Sequence, residues 1–302
     1  MRSVHRHCVL CGSNIYKVLY KSNLGDESSR LDSRDFCCTN DEWARHGRIV
    51  KCLVCGMVYE NPVCEHLDII EAYAQTQDAR MIEEEKSRDK TFACILKRVA
   101  VYSRKGSLLD IGCCTGFFIK QAKACGWHVS GLELSRWAAE HAKKISGAEV
   151  TNSSIEATDF PEGGFDVITM LDVIEHLVNP AECLLKINKW LKKGGLICVS
   201  THDINSPIAK LMRGKYPLLM QMHCSHFSKK TLKMMFDKCG FDVLRIEPHR
   251  RYVSAGYLAG KFKNYSRFLH RGCSGIVNIL GLKDFLIRLN NIGLLNVYAV
   301  KR

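Results

Sequence analysis

Long apolar runs are missing from this 302-residue sequence. No stretch of roughly 18 apolar residues occurs, which excludes a membrane-spanning helix. Met1 to Leu10 is too polar and too rich in histidine for a secretory leader. A cytoplasmic protein is therefore expected, whose 16 cysteines stay reduced unless they bind metal. Internal repeats and low-complexity segments are absent too, which argues against a solenoid. The length leaves room for one large domain with appendages. Acids are scarce towards the C-terminus: from Arg250 to Arg302 ten Lys and Arg face one acid, Asp284, so nine units of the net charge of +13 sit there. Such a segment suits an acidic partner, whether nucleic acid, anionic lipid or a phosphorylated substrate.

The three-glycine loop G-x-G-x-x-G that cradles a pyrophosphate is also missing. In its place stands Leu108-Leu109-Asp110-Ile111-Gly112-Cys113-Cys114-Thr115-Gly116-Phe117-Phe118. An apolar run closing on an acid and two glycines, ahead of an apolar helix pattern, reads as a buried strand turning into a helix. Asp110 at the loop's mouth would repel a pyrophosphate and attract an ammonium. Glu133 closes a second strand, Trp127 to Glu133, where an ionised carboxylate can accept both hydrogen bonds of a ribose. The signs favour a nucleoside carrying a cationic amino acid over NAD.

On these residues the segment from about Ser107 to Ser200 resembles the class I S-adenosylmethionine (SAM)-dependent methyltransferases. The resemblance implies an α/β fold: a doubly wound, mostly parallel seven-stranded sheet of Rossmann-like type. Its last strand would insert antiparallel between the fifth and sixth. It implies that SAM lies against Asp110, Gly112, Cys114, Gly116 and Glu133, with Leu134 beside the ribose acid, Ser154 and Ile155 at the adenine, and Leu171 at the rim. Cys114 stands where relatives carry the middle glycine of the loop. Ser154 reads equally as a helix cap.

Cys8-Val9-Leu10-Cys11-Gly12 and Cys52-Leu53-Val54-Cys55-Gly56 are two C-x-x-C-G knuckles. Two residues between thiolates let both sulfurs bind one ion, and two such pairs give a closed, structural four-sulfur zinc site. Strand-like flanks suit a zinc ribbon over residues 1–64. His5, His7, Cys37 and Cys38 are alternative ligands at poorer spacing, and plain surface thiols are the bland reading. The phrase Lys51 to Pro62 resembles the zinc-binding module that precedes many bacterial methyltransferases acting on sugars and secondary metabolites. Residues 65–104 read as a helical linker or lid. Tyr73 falls where relatives place an aromatic over the methionine end of the cofactor.

Gly164 to Met170 reads as a central fourth strand, ending in Leu171-Asp172-Val173-Ile174-Glu175-His176-Leu177 at the sheet's carboxyl edge. His176 is the best general-base candidate, with Glu175 beside it. Both also read as residues that simply open the next helix. The signature resembles the subgroup containing the ubiquinone-biosynthesis O-methyltransferases, which implies a divalent ion at Asp172, Glu175 and His176. Asp172 is shorter than the Glu usual there. His223 aligns with a pocket-facing histidine of the family, His202 stands where the resemblance implies a proline, and His226 is an unassigned competitor.

Residues 250–293 form a basic, amphipathic insertion in the methyltransferase domain at 105–302. Tyr257, Leu258, Phe262, Tyr265, Phe268 and Leu269 recur there among Lys261, Lys263, Arg267 and Arg271. It reads as a cap over an acidic or lipid-linked acceptor, a helix lying on a membrane surface, or a dimer-forming helix. The expected function is SAM-dependent methyl transfer, with a hydroxyl of a small or lipid- or sugar-linked metabolite as acceptor. One alternative is sugar C-methylation, whose enzymes carry a further α/β domain. Another is a non-catalytic zinc-ribbon protein that binds nucleic acid or membrane, although the ribbon's few clustered basic residues argue against nucleic acid. The oligomeric state is left open.

Overall fold

Leu108, Leu109 and Ile111 are at most 1% exposed and sit at the middle of the sheet that organises the chain. The computed structural model describes residues 3–24, 33–37, 43–264, 266–290 and 292–302. In chain order the strands of the large sheet are Ser107–Ile111, His128–Glu133, Glu149–Asn152, Phe165–Leu171, Leu191–His202, Phe241–Pro248 and Leu294–Lys301. Across the sheet they run sixth, seventh, fifth, fourth, first, second, third, with the seventh antiparallel to both neighbours. That is the arrangement the resemblance implies.

Alternation along each strand sends side chains to opposite faces. Leu109, Ile111, Ile168 and Met170 pack on one face with Leu184, Ile187 and Phe236 from helices Pro180–Trp190 and Lys229–Lys238. Leu108 and Val167 pack on the other with Leu96, Val99 and Ile119 from helices Glu85–Tyr102 and Phe117–Ala124. Burial on both faces explains why the central strands read as unbroken apolar runs. Ser228 caps its helix in a full capping box with Thr231. The segment expected to be helical before the sheet is broken after Ala74 into His66–Ala74, Arg80–Glu83 and Glu85–Tyr102.

Strands Tyr16–Tyr20, Ile49–Cys52 and Val58–Glu60 form the ribbon, and Ser225–His226 adds to its edge. Ser225 pairs with Tyr59 and His226 with Val58. Met57 and Tyr59 share one core with Leu109, Phe227 and Leu232, so the ribbon is packed into the body of the molecule. Cys38 lies outside the described residues.

Between the sixth and seventh strands, Arg251–Ser254 pairs with Leu286–Leu289, and helices Ala255–Lys261 and Arg267–Ile279 rise from that hairpin. The Tyr252 amide donates to Thr91 Oγ1 at 2.9 Å and pins the hairpin over helix Glu85–Tyr102. Tyr265 and the side chain of Leu269 lie outside the described residues. Among the described residues no helix is long and apolar enough to cross a membrane.

Candidate active site

Two cavities, of about 190 and about 100 Å3, open at the carboxyl edge of the central strands. Tyr73, Gly112, Asp172, Val173 and His176 line both. A Cβ at Gly112, where φ is 69°, would lie 2.5 Å from Val173 Cγ2, so only glycine fits at the junction. A Cβ at Gly116 would lie 2.6 Å from the Cα of Ala142, which ties the loop to helix Arg136–Ser146. Cys114 adopts φ 49°, the left-handed conformation that glycine takes without strain. That explains why relatives carry glycine there.

Glu133, 1% exposed, lines the smaller cavity with Leu134, Ser154 and Ile155. Its Oε2 accepts the Cys114 amide and its Oε1 the Ser135 amide, each at 2.8 Å. Each oxygen keeps a lone pair, enough to accept from two vicinal hydroxyls. Burial pushes its carboxyl above the usual range, against amide bonds that draw it down. Ser154 Oγ accepts the Ala157 amide at 3.2 Å, so it caps a turn while facing the cavity.

Asp110, 2% exposed, is not at an open mouth but at the base of the larger cavity, where its Oδ1 accepts from Thr169 Oγ1 at 2.6 Å. Burial pushes its carboxyl up to about 7. Leu171 lines the same cavity.

Glu175, His176 and His223 meet at its far side. His176 Nδ1 donates to the Met222 carbonyl at 3.1 Å and His223 Nδ1 to the Leu218 carbonyl at 2.8 Å, which leaves both Nε2 atoms with free lone pairs. The rings lie 4.7 Å apart. Burial pushes His176 down to about 3 and His223 to about 4, so both are neutral donors of a lone pair, and His176 is a weaker base than its ordinary 6.5 implies. Glu175 Oε2 accepts from Thr201 Oγ1 at 2.9 Å.

A family model described as a methyltransferase domain matches residues 84–246, more than half of the chain. The chain belongs to the methyltransferase domain family.

Among its relatives are a ubiquinone biosynthesis O-methyltransferase of Thiobacillus denitrificans, 29% identical over 42% of this chain and 58% of the relative, and a demethylmenaquinone methyltransferase of Staphylococcus aureus, 25% identical over 54% of this chain and 80% of the relative. The chain spans about half the length of the ubiquinone-type relatives that it matches. A solved structure of a SAM-dependent methyltransferase from Archaeoglobus fulgidus is 18% identical, with a TM-score of 0.51 over 74% of this chain and all of that one, and shares the fold.

Within the methyltransferase domain the expected ion ligands need revision. Glu175, His176 and His223 each offer one donor atom within 4.8 Å of the others, and Asp172 is not in that group. Asp172 lines both cavities, accepts from Ser200 Oγ at 2.8 Å, and is held below the usual carboxylate range, despite burial, by His249, Arg251 and Arg88. His202 and His226 line neither cavity; they bond one another at 2.9 Å behind His223. Arg88, His249, Arg251 and Tyr252 line the larger cavity and were not expected there. The mixture of bases and aromatics at 249–257 was the trace in the sequence of the last three.

The four knuckle thiols also converge. Cys8 and Cys55 sulfurs are 3.4 Å apart, Cys11 and Cys52 sulfurs 3.6 Å, and all four lie within 4.8 Å. Amides of Gly12 and Gly56 close the knuckles onto the carbonyls of Cys8 and Cys52. Burial raises the Cys52 thiol, but amide bonds from Cys55 and Val54 outweigh it and bring it to about 7. Arg6, just ahead of the first knuckle, donates to the Glu60 carbonyl at 3.1 Å, the Val178 carbonyl at 2.8 Å and the Cys224 carbonyl. It ties the ribbon to the two loops that carry His176 and His223.

Proposed function

We propose that this protein transfers the methyl group of SAM to a hydroxyl of a small acceptor. The observation that carries the reading is the pair of joined cavities. Glu133, Leu134, Ser154 and Ile155 line one, which suits an adenosine. Glu175, His176 and His223 line the other, with Gly112 and His176 at the passage between them. The sulfonium carbon is already activated, so the chain's main task is to hold an oxygen in line with it and exclude water. Glu133 accepts from the ribose hydroxyls, and Tyr73 covers the passage. With no ion held, Nε2 of His176 or of His223 would accept the hydrogen bond of the acceptor hydroxyl and orient its oxygen towards the methyl group. The same nitrogen would take up the proton shed as the O–CH3 bond forms and the S–CH3 bond breaks, the demethylated cofactor being the leaving group. The donor set of one carboxylate and two imidazoles fits a divalent ion, which Glu175, His176 and His223 would hold; when bound, it lowers the pKa of a coordinated hydroxyl.

The names of the relatives, ubiquinone biosynthesis O-methyltransferase and demethylmenaquinone methyltransferase, support a ring-bearing acceptor of quinone type. We read residues 1–64 as a zinc-braced module, 65–104 as the lid and 105–302 as the catalytic domain. Cys8, Cys11, Cys52 and Cys55 fit a structural zinc ion, since four thiolates fill a tetrahedral shell. No disulfide joins the other cysteines among the described residues, which suits the reducing cytoplasm.

Titration calorimetry with SAM and with its demethylated product tests the reading. Binding of both is expected, weakened about 10- to 100-fold in Glu133→Ala, which removes charge-assisted hydrogen bonds. No binding by the parent protein would sink the proposal. Transfer of labelled methyl to a catechol is the second test.

A further inference from the structure

The 250–293 insertion carries an apolar surface that the active site does not use. Phe268 and Ile279 are each 85% exposed, at the two ends of helix Arg267–Ile279. Ile276, Leu280 and Phe285 are 60%, 61% and 61% exposed beside them. At 3.6 residues per turn, Phe268, Gly272, Gly275, Ile276 and Ile279 fall on one stripe of that helix. Exposed Lys263, Arg271, Lys283 and Arg288 flank it. Between 255 and 289 the sequence holds six Lys and Arg (261, 263, 267, 271, 283 and 288) against Asp284 alone.

We propose that this helix and the turn after it lie on the surface of an anionic membrane, with Phe268, Ile276, Ile279, Leu280 and Phe285 entering the headgroup boundary. Bulky apolar residues on one face with cations at its edge are the make-up of an interfacial helix. Anionic headgroups complement the four exposed cations, Lys263, Arg271, Lys283 and Arg288. A second copy of the chain would set the same cations against one another across a two-fold contact, and like charges brought together cost affinity. A nucleic acid would match the charge but leave the phenylalanines and isoleucines uncovered. The insertion's hairpin also contributes Arg251, Tyr252 and Val253 to the larger cavity. A protein seated this way holds that cavity beside the lipid surface, where an acceptor with a hydrocarbon tail resides. The docking itself does not depend on methyl transfer.

Co-sedimentation of the full chain with vesicles decides the matter. Vesicles of phosphatidylcholine with about a third phosphatidylglycerol should retain the protein, and those of phosphatidylcholine alone should hold it about tenfold less well. Phe268→Ser with Ile279→Ser should weaken retention about tenfold or more while SAM binding and the melting temperature stay unchanged, because both side chains are almost fully exposed. Arg271→Glu with Lys283→Glu should abolish the preference for the anionic lipid. Failure of the parent to sediment with either vesicle would overturn the proposal. So would equal retention on both vesicles, or light scattering that shows a dimer which Phe268→Ser with Ile279→Ser splits.

Discussion

Cys8, Cys11, Cys52 and Cys55 come from two short knuckles, each closed by its own backbone. Glu175, His176 and His223 come from two loops that nothing in their own sequence fastens. Both groups bring ligand atoms within 4.8 Å of one another. The four thiols are enough to fill a tetrahedral shell, and Cys8, Cys52 and Cys55 are buried. The mixed group lines a cavity and leaves coordination positions facing it. On the function proposed above, the site built from local spacing would serve the fold and the one assembled by tertiary contacts would serve chemistry.

The comparison breaks most visibly at the thiols. Cys52→Ser with Cys55→Ser should abolish the zinc content found by elemental analysis. Metal binding on the order of 10 kcal/mol is folding energy in such modules, so the ribbon should melt and catalysis should fail with it. Next in size is Glu175→Gln, which keeps an oxygen for Thr201 but removes the charge. Methyl transfer should fall about 100-fold with the melting temperature little changed. A weak chelator that strips only the mixed group should do the same; if it unfolds the protein, the contrast drawn above is wrong.

A smaller effect concerns Asp110, whose folded-state pKa burial raises from the ordinary 3.8 to about 7. The folded protein keeps a proton that the unfolded chain sheds. The stability Asp110 contributes is therefore full below 3.8 and lost as pH climbs to about 7. Asp110→Asn should flatten the fall in melting temperature over that window for the ligand-free protein. Smallest is Cys114→Gly. It relieves a left-handed backbone worth about 1 kcal/mol, so chemical denaturation should show a stabilisation of that size.

The sheet was legible because its central strands, Ser107–Ile111 and Phe165–Leu171, are largely apolar and burial on both faces demands that. The convergence of Cys8, Cys11, Cys52 and Cys55 was legible because C-x-x-C spacing is itself the geometry. Asp172 stands outside the cluster of Glu175, His176 and His223 and bonds Ser200 instead, which no local pattern announces. The low basicity of His176 was equally hidden, since it follows from burial among residues distant in the chain. Arg88 and Arg251 enter the cavity only because the hairpin folds back over helix Glu85–Tyr102, a contact between residues far apart in sequence.

Arg6 carries a practical lesson for anyone trimming this protein. A shortened clone that starts at the first knuckle would retain every thiol and every strand of the large sheet. It would nonetheless lose the guanidinium that fastens the carbonyls of Val178 and Cys224, two residues past one active-site imidazole and one past the other. Such a clone could fold, take up zinc and still misalign its acceptor.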